Sequence, residues 1–471
     1  MKPFRNFSTA VLAVAVLILT AQAKVSVAPV FTDNMVLQQN TEAPIWGYAD
    51  PNAQVTVHGS WDLKSLASTI SDSDGYWIVS LKTPKAGGPY TVSITSGTTI
   101  TLDNVMAGEV WLCSGQSNME WTSRPDHGIM NREAEIAAAD YPYIRIFRTP
   151  MVKADTPQYA TEGQWKECNP ETMEHSSAVA YFFARRIYQE TGVPVGLIES
   201  AWSGSPIEAW IPVYGQPLDP LLEQRMAKHE WAMPFGSMYN RMIYPFAPMK
   251  IAGALWYQGE SNVDNCDAYG ALLKEMIGRW REKFDTQFPF YLVQIAPFSY
   301  NSGGDKPAIV REQQEIVART YPKTGMVVVS DLVDDVNDIH PRDKQNVGLR
   351  LADMALSELY HKPVPGYKSP TFRSMKVKNG RAVIEFFDPS PEIRIKGSTA
   401  KGLLVAGADG KFVPAKAQVT GKNKLEVWSD QVSEPMTVRY SFDDNTIGNL
   451  SSAYGMPVAP FRTDRKLETK P

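Results

Sequence analysis

Four short polar motifs contain the residue types that ester cleavage requires. They are Ser114-Gly115-Gln116-Ser117-Asn118-Met119, Trp202-Ser203-Gly204-Ser205, Tyr257-Gln258-Gly259-Glu260-Ser261-Asn262 and Asp338-Ile339-His340-Pro341. Acyl transfer from an ester needs a nucleophile, a base with a pKa near neutrality, a group that orients the base, and hydrogen-bond donors for the oxyanion. The four motifs together contain a candidate for each of these parts.

Ser117 is the candidate nucleophile, because a turn of small residues can expose its hydroxyl group. His340 is the candidate general base, since an unperturbed imidazole pKa of about 6.5 suits proton transfer near neutral pH. Asp338 is the candidate acid that orients the imidazole, and Glu260 is the alternative carboxylate for that role.

Three groups are candidates for an oxyanion hole: the backbone N–H groups of Ser117 and Gly204 and the side-chain amide of Asn262. Glycine at position 204 allows the backbone to approach a substrate closely. Taken singly, each of these residues is common in loops, where serine and asparagine bond locally to the backbone. The prediction therefore depends on the four motifs occurring together.

The motifs follow the strands of an expected α/β region, residues 105–363. Its predicted strands are Val110–Cys113, Val195–Ile198, Ile251–Trp256, Phe290–Ile295 and Met326–Val329, and its predicted helices are Ser177–Glu190, Ala268–Phe284, Ala308–Tyr321 and Asn346–Tyr360. Alternation of strands and helices predicts a mostly parallel sheet with helices on both faces. Since ligands bind beyond the carboxyl ends of such strands, we expect the motifs to meet at one edge.

Two β regions flank this part of the chain. Residues 24–104 show period-two alternation, as in Tyr90–Ile94, and predict an N-terminal β-sandwich. Residues 366–462 predict a C-terminal β domain, in which Asn379-Gly380 and Asp409-Gly410 are typical of hairpin turns. Residues 463–471 are expected to form a polar tail.

Residues 1–23 are typical of a cleavable signal peptide. Lys2 and Arg5 precede the apolar run Val11–Leu19, and Ala21-Gln22-Ala23 is a small-residue pattern that signal peptidase recognises. We expect cleavage after Ala23 and a periplasmic or secreted protein. Lys24 stands where a lipoprotein has cysteine, so the mature chain is expected to lack a lipid anchor and to bind no membrane.

Composition excludes some classes of function. Lys and Arg total 47 and Asp and Glu total 51, a net charge of −4, so the chain lacks the basic surplus of a nucleic-acid-binding protein. The six histidines form no HExxH motif, and no metal or organic cofactor is expected. Of the three cysteines, Cys113 is expected to be a buried thiol, and a disulfide between Cys168 and Cys266 is left open.

The motifs Gly115–Met119, Gln258–Asn262 and Asp338–Pro341 resemble the marker blocks of the SGNH (GDSL-type) hydrolases. The closer resemblance is to the sialate O-acetylesterase family, which includes bacterial carbohydrate acetylesterases. Pro194–Ile198, Ile207–Trp210 and Leu255–Tyr257 are similar to that family as well. The resemblance implies a three-layer α/β/α catalytic domain, Ser117 as nucleophile and His340 as base, and Gly204 and Asn262 as oxyanion donors. It also implies an acyl-serine intermediate and an O-acetylated glycan or sialic acid as substrate.

The chain departs from the SGNH pattern in two places. Many members have the acid three residues before the histidine, where this chain has Asn337; Asp338 is two residues before it. The second block commonly reads Gly-Gly-Thr, whereas this chain has Ser203-Gly204-Ser205. The identity of the orienting acid therefore stays open between Asp338 and Glu260.

Side chains near the motifs suggest a carbohydrate substrate. The aromatic residues Trp121, Trp202, Trp210, Trp256 and Tyr257 could pack against sugar rings or belong to the core, and Arg124, Arg241 and Arg342 could pair with a substrate carboxylate or lie in solvent. Acetylated xylan or another plant polysaccharide is an alternative substrate. A non-catalytic carbohydrate-binding protein and a metallohydrolase are the rival functions.

Overall fold

The computed structural model describes residues 24–213, 217, 219–220, 233–300, 304–387 and 392–464. The expected signal peptide, residues 1–23, and residues 465–471 of the expected tail lie outside the described residues.

The described helices and strands follow one another in this chain order. The helices are α1 (Ser117–Glu120), α2 (Arg132–Ala137), α3 (Pro170–Glu174), α4 (Ala178–Thr191), α5 (Cys266–Lys283), α6 (Lys306–Thr320) and α7 (Lys344–Glu358). The strands are β1 (Ser26–Val27), β2 (Val36–Gln38), β3 (Glu42–Tyr48), β4 (Gln54–Gly59), β5 (Leu66–Ile70), β6 (Tyr76–Lys82), β7 (Gly87–Ser96), β8 (Thr98–Gly115), β9 (Tyr141–Arg148), β10 (Trp165–Cys168), β11 (Val195–Ala201), β12 (Gly253–Tyr257), β13 (Phe290–Val293), β14 (Thr324–Val327), β15 (Thr371–Lys378), β16 (Arg381–Phe387), β17 (Ile393–Ile395), β18 (Leu403–Ala406), β19 (Val413–Pro414), β20 (Lys416–Gly421), β21 (Lys424–Trp428), β22 (Thr437–Tyr440), β23 (Leu450–Ser452) and β24 (Phe461–Arg462).

The central sheet has the strand order β10-β9-β11-β8-β12-β13-β14. β8, β9, β11, β12, β13 and β14 are parallel, and β10 is antiparallel to β9 at the edge. Each strand and helix predicted for residues 105–363 is present. The ends shift by a few residues, except that β8 begins at Thr98, well before the predicted Val110. The expectation of a mostly parallel sheet is confirmed.

Successive residues of β8 supply two different cores. Val110 and Leu112 pack in one apolar cluster together with residues of α5 and α6. Trp111 and Cys113 pack in a second cluster with residues of α4 and α7. Because neighbouring side chains of a strand point to opposite faces, a run of apolar residues is buried on both sides by helices. The fold is therefore a mixed α/β structure with a large central sheet.

Strand β8 also connects the N-terminal β region to the central sheet. Its first part pairs antiparallel with β7, and its second part pairs parallel with β11 from Glu109 onward. Consequently β2, β4, β5 and β7 belong to the same 11-stranded sheet, whereas β1, β3 and β6 form a separate sheet. Backbone pairing is thus continuous across position 104, and the domain boundary drawn there stays a prediction.

Both predicted C-terminal hairpins are confirmed. Asn379 and Gly380 have φ angles of 51° and 72° and join β15 to β16, and Gly410 with φ 70° lies between β18 and β19. Positive φ at two successive turn residues matches the twist of the flanking strands. The C-terminal sheets enclose their own apolar cluster, and an ion pair between Arg462 and Glu312 (2.9 Å) joins them to α6.

Cys113, Cys168 and Cys266 are all buried free thiols. The structure therefore answers the open question about Cys168 and Cys266, which form no disulfide. Helix α4 begins after Ser177, whose Oγ accepts from the N–H of Ala180 at 3.2 Å. The neighbouring Ser176 donates its hydroxyl to the carbonyl oxygen of Thr172.

The turn after β8 gives a stability prediction. Gly115 has φ 141°, and a Cβ atom there would lie 2.2 Å from the carbonyl oxygen of Tyr257. We expect Gly115→Ala to lower the free energy of unfolding by about 3 kcal/mol, since it combines a glycine-only conformation with a clash against backbone. Gly128→Ala is the matched control: φ is 70° but the space is open, so a loss of about 1 kcal/mol is expected. Equal losses in chemical denaturation would contradict the clash.

Candidate active site

The predicted nucleophile lies in the turn where β8 ends. Gly115 is the last residue of β8, and Ser117 begins the short helix α1. Gln116, between them, donates its N–H to the carbonyl oxygen of Tyr257 at 3.0 Å. Its side-chain oxygen accepts from the N–H groups of Gly259 (3.3 Å) and Ser261 (3.2 Å). The first and third motifs are thus joined by backbone and side-chain hydrogen bonds, and Ser117 is 7% exposed beside them.

His340 lies in a loop that leads into α7. Its Nε2 atom is buried and has no hydrogen-bond partner among the described residues. Its Nδ1 atom is 3.7 Å from Oδ1 of Asp338, which is longer than a hydrogen bond. The same Oδ1 instead accepts the backbone N–H of His340 at 2.8 Å. Asp338 therefore shapes the loop through the backbone and stays close to the imidazole ring.

Asn118 joins the nucleophile turn to the histidine loop. Its Nδ2 atom donates to the carbonyl oxygen of Ile339 at 3.0 Å and to Oε1 of Glu260 at 2.8 Å. Ser117 and His340 are the chain neighbours of Asn118 and Ile339, so the two candidate catalytic residues flank one hydrogen bond. Within the described residues, no direct hydrogen bond joins the Ser117 hydroxyl to the His340 ring.

Glu260 is a buried carboxylate behind this contact. Burial raises its pKa above the ordinary value, and hydrogen bonds, including that from Asn118, oppose the shift. Its Oε2 atom has no hydrogen-bond partner among the described residues. Glu260 therefore contacts the amide of Asn118, while Asp338 is the carboxylate measured close to the imidazole.

Gly204 lies in an exposed turn after β11. Its φ is 70°, and a Cβ atom there would meet nothing within 4 Å. The preceding Ser203 donates both its N–H (2.7 Å) and its hydroxyl (2.8 Å) to Oε2 of Glu120, at the end of α1. These two bonds hold the Gly204 turn beside the helix that begins with Ser117.

Asn262 is fully buried, and its side chain is held at both ends. Its Oδ1 accepts from the N–H of Ile207 (2.9 Å) and from Nε2 of Gln258 (2.7 Å). Its Nδ2 donates to Oε2 of Glu208 at 2.8 Å, which leaves the second Nδ2 hydrogen for another acceptor. Glu208 also accepts from Nδ2 of Asn265 at 3.0 Å. The amide orientation is thus fixed by three protein groups, the N–H of Ile207 and the side chains of Gln258 and Glu208.

Burial determines the protonation state of the base. Burial is the main cause that lowers the pKa of His340 to about 4; the nearby Lys344 ammonium also lowers it, whereas Asp338 opposes the shift. Lys344 is itself buried, and desolvation lowers its pKa to about 7. The imidazole is therefore neutral at physiological pH, which is the form that accepts a proton.

The aromatic residues near the motifs have mostly structural roles. Trp121 is stacked between His340, at a centroid distance of 3.8 Å, and His127, at 4.3 Å. Both faces of its indole are therefore covered and unavailable to a sugar ring. Trp210, Trp256 and Tyr257 are fully buried core residues, and Trp202 is partly buried.

The three arginines proposed for carboxylate binding differ in their contacts. The Nη2 atom of Arg124 lies 3.2 Å from Nε2 of His127 and 3.4 Å from Oδ2 of Asp126, with which it forms an ion pair. Arg241 pairs with Glu162 at 3.2 Å and donates to a backbone carbonyl. Arg342 accepts the N–H of Met130 through its carbonyl oxygen. The contacts of Arg124 and Arg241 are thus with the protein itself.

Five residues that hold the site together were not predicted from the sequence: Gln116, Asn118, Glu120, Glu208 and Lys344. Three of them lie within or beside the quoted motifs, but nothing in a sequence distinguishes a buried polar side chain from a solvated loop residue. Lys344 follows His340 by four residues, and only its burial identifies it.

In the described part of the chain, no three His, Cys, Asp or Glu side chains are grouped as metal ligands would be. None of the helices in these same residues is long and apolar enough to cross a bilayer.

Known proteins resemble this chain in both sequence and structure. A family model described as carbohydrate esterase, sialic acid-specific acetylesterase, matches residues 107–357. Sialate O-acetylesterase of Homo sapiens is 33% identical over 371 residues, which cover 69% of each chain. Sialate O-acetylesterase of Mus musculus is 31% identical over 409 residues, covering 73% of this chain and 74% of that protein.

A solved structure extends the similarity over almost the whole chain. The carbohydrate acetylesterase of Xanthomonas citri is 33% identical and superposes with a TM-score of 0.84, covering 94% of this chain and 100% of that one. The match includes the flanking β regions as well as the central sheet. The chain therefore belongs to the carbohydrate esterase family of sialic acid-specific acetylesterases.

Proposed function

We propose that this protein is a serine esterase that removes O-acetyl groups from carbohydrate through an acyl-serine intermediate. The observation that carries the proposal is the 3.0 Å hydrogen bond from Asn118 to the carbonyl oxygen of Ile339, which brings the segments of Ser117 and His340 together. Membership of a carbohydrate esterase family supplies the reaction class.

In the first half-reaction, the Ser117 hydroxyl attacks the acetyl carbonyl carbon while Nε2 of His340 removes the hydroxyl proton. The tetrahedral intermediate collapses to acetyl-Ser117, and the imidazolium gives its proton to the departing sugar oxygen. The buried Nε2 atom, which no other group in the described part of the chain hydrogen-bonds, supports this role. A small movement on substrate binding brings Ser117 and His340 into hydrogen-bond contact, because catalytic hydrogen bonds often tighten only in the substrate complex.

In the second half-reaction, water attacks the acetyl carbonyl and His340 again takes the proton. The intermediate releases acetate, and the returned proton restores the Ser117 hydroxyl. The developing oxyanion accepts hydrogen bonds from the N–H groups of Ser117 and Gly204 and from the second Nδ2 hydrogen of Asn262. Support comes from the fixed orientation of the Asn262 amide.

We assign the orienting acid to Asp338. Its Oδ1 atom is 3.7 Å from Nδ1 of His340 and accepts a hydrogen bond from the backbone N–H of His340. In Glu260, the alternative, Oε1 accepts a hydrogen bond from the amide of Asn118 and not from the imidazole. Because Asp338 attracts the imidazolium without a direct hydrogen bond, it stabilises the imidazolium less than the acid of a hydrogen-bonded triad does.

The substrate class is an O-acetylated glycan. The human and mouse relatives are named sialate O-acetylesterases, which favours acetylated sialic acid. The Xanthomonas citri structure is named a carbohydrate acetylesterase and spans more of the chain, which favours acetylated xylan or another plant polysaccharide as the alternative. A non-catalytic carbohydrate-binding protein is disfavoured by membership of a carbohydrate esterase family. It is also disfavoured by a buried imidazole whose Nε2 atom has no hydrogen-bond partner among the described residues.

We also propose the finer features that the residues favour. The central sheet with α4, α5, α6 and α7 is an SGNH-type catalytic domain, and residues 24–104 are an N-terminal β-sandwich. The pattern of residues 1–23 favours export with cleavage after Ala23 and a periplasmic or secreted enzyme.

Ser117→Ala and His340→Ala test the catalytic pair. We expect each variant to lower kcat for an aryl acetate by on the order of 10³-fold or more, because each removes a group that acts in the transition state. Ser68→Ala and His361→Ala change the same residue types at exposed positions and should keep wild-type kcat. Near-full activity in either site variant would refute the assignment.

The pH dependence follows from the lowered pKa of His340. The base works only when neutral, so kcat/KM falls as pH drops through its pKa, and a pKa of about 4 places that fall well below the ordinary histidine range. We expect nearly constant kcat/KM for an aryl acetate from about pH 6.5 down to about pH 5.5, a window in which Lys344 remains mostly an ammonium group. A fall centred on the ordinary histidine pKa, with the fold intact by circular dichroism, would contradict this expectation.

Substitution of the two carboxylates identifies the orienting acid. We expect Asp338→Ala to lower kcat by about 10- to 100-fold, since the loop loses its anchor and the imidazolium loses a nearby charge. Glu260→Gln keeps the hydrogen bond with Asn118 and should lower kcat less. The reverse order of effects would assign the role to Glu260.

Acetate release from native substrates decides between the two substrate classes. Purified enzyme is incubated with acetylated sialosides and with acetylated plant polysaccharides, and acetate is measured for each. Release from sialosides at the higher kcat/KM is expected from the two named relatives. Glycan binding without acetate release from either class would favour the non-catalytic alternative.

A further inference from the structure

Lys344 is a buried lysine at the start of α7, four residues after His340. It is 1% exposed, and its Nζ atom lies 5.7 and 5.8 Å from the ring centroids of Trp121 and Tyr257. Among the described residues, no carboxylate pairs with it within 4.0 Å. Burial of an ammonium group without an ion pair is costly, so its position calls for a functional explanation.

The Lys344 side chain determines which way the amide of Asn118 faces. An ammonium group only donates hydrogen bonds, and Nζ donates to Oδ1 of Asn118. The amide nitrogen must therefore face the opposite side, where it donates to the carbonyl oxygen of Ile339 and to Glu260. The reversed amide would put its oxygen against two acceptors and its N–H group against the ammonium.

We propose that Lys344 is a positioning residue for the catalytic pair: by orienting Asn118, it holds the histidine loop against the nucleophile turn. Asn118 directly follows Ser117, and Ile339 directly precedes His340, so the hydrogen bond between them sets the spacing of the two backbones. The inference rests on the proposed function, in which Ser117 and His340 react together.

The loop has reason to depend on this contact. Asp338 is 3.7 Å from Nδ1, and within the described ranges no carboxylate forms a hydrogen bond with the imidazole. The ring is held by stacking on Trp121, with His127 on the opposite face of the indole. The charged and titratable groups that face it are Asp338 from its own loop, His127 from the loop after α1, and Lys344 from α7, with Glu260 beyond Asn118. Lys344 thus acts on the position of the base through Asn118, and its charge acts only on the pKa of the base.

Lys344→Met tests the proposal, because it keeps the length of the side chain and removes the donor and the charge. We expect kcat for an aryl acetate to fall on the order of 10- to 100-fold with KM changed less than about twofold. The thermal midpoint should not fall, since replacement of a buried charge by an apolar side chain is often neutral or stabilising. The acid limb of kcat/KM should move to higher pH, because a cation near His340 is lost. Lys274→Met, on α5, is the matched control and should leave all four quantities unchanged.

A double-mutant cycle with Asn118→Ala identifies the route of the effect. If Lys344 acts through Asn118, adding Lys344→Met to Asn118→Ala lowers kcat little further, whereas independent roles give multiplied losses and overturn the proposal. Wild-type kcat in Lys344→Met also overturns the proposal. So does a loss of kcat in Lys344→Met that comes with a lowered thermal midpoint and an unchanged acid limb, because that result indicates a general loss of stability.

If Lys344→Met fails to fold, Asn118→Ala alone decides: an unchanged kcat overturns the proposal. Activity retained in Ser117→Ala would instead show that the proposed function itself has failed.

Discussion

The parallel pairing of β8 with β11 and β12 is the constraint on which the site depends. Gly115 pairs in register with Ala201 on one side and with Tyr257 on the other. The three strands therefore end at the same level, and the polar motifs that follow them begin side by side. A one-residue shift in either pairing would exchange the two faces of a strand and separate the motifs.

Once the strands end together, buried hydrogen bonds determine the arrangement of their loops. Gln116 reaches the third motif, Asn118 reaches the third and fourth, and Glu120 reaches the second. Their partners are mostly backbone groups, so the contacts fix the positions of the loops as well as stabilise them. Buried polar groups are costly unless they are satisfied, and this cost makes alternative arrangements unfavourable.

Electrostatics at the site favour a neutral base over a charged one. Burial and Lys344 both lower the pKa of His340, while the nearest carboxylate is too distant for a hydrogen bond. Such a base is available over a wide pH range, but the imidazolium that forms during the reaction receives less help from an acid. Trp121, stacked on the ring at 3.8 Å, offers the imidazolium an aromatic face in its place.

The sequence by itself determined the strand–helix alternation, the two C-terminal hairpins and the four motifs at strand ends, because apolar periodicity and turn chemistry are local properties. It also indicated the family, since short motifs in a fixed order carry that information. Only the tertiary structure decided that Trp121 is covered on both faces, that Cys168 and Cys266 remain free, and that β8 runs across the expected boundary at residue 104. Burial of Lys344 and the hydrogen bonds of Asn118 were likewise decided there. Contacts between residues far apart in the chain depend on how the strands and helices pack, and local patterns carry no record of that packing.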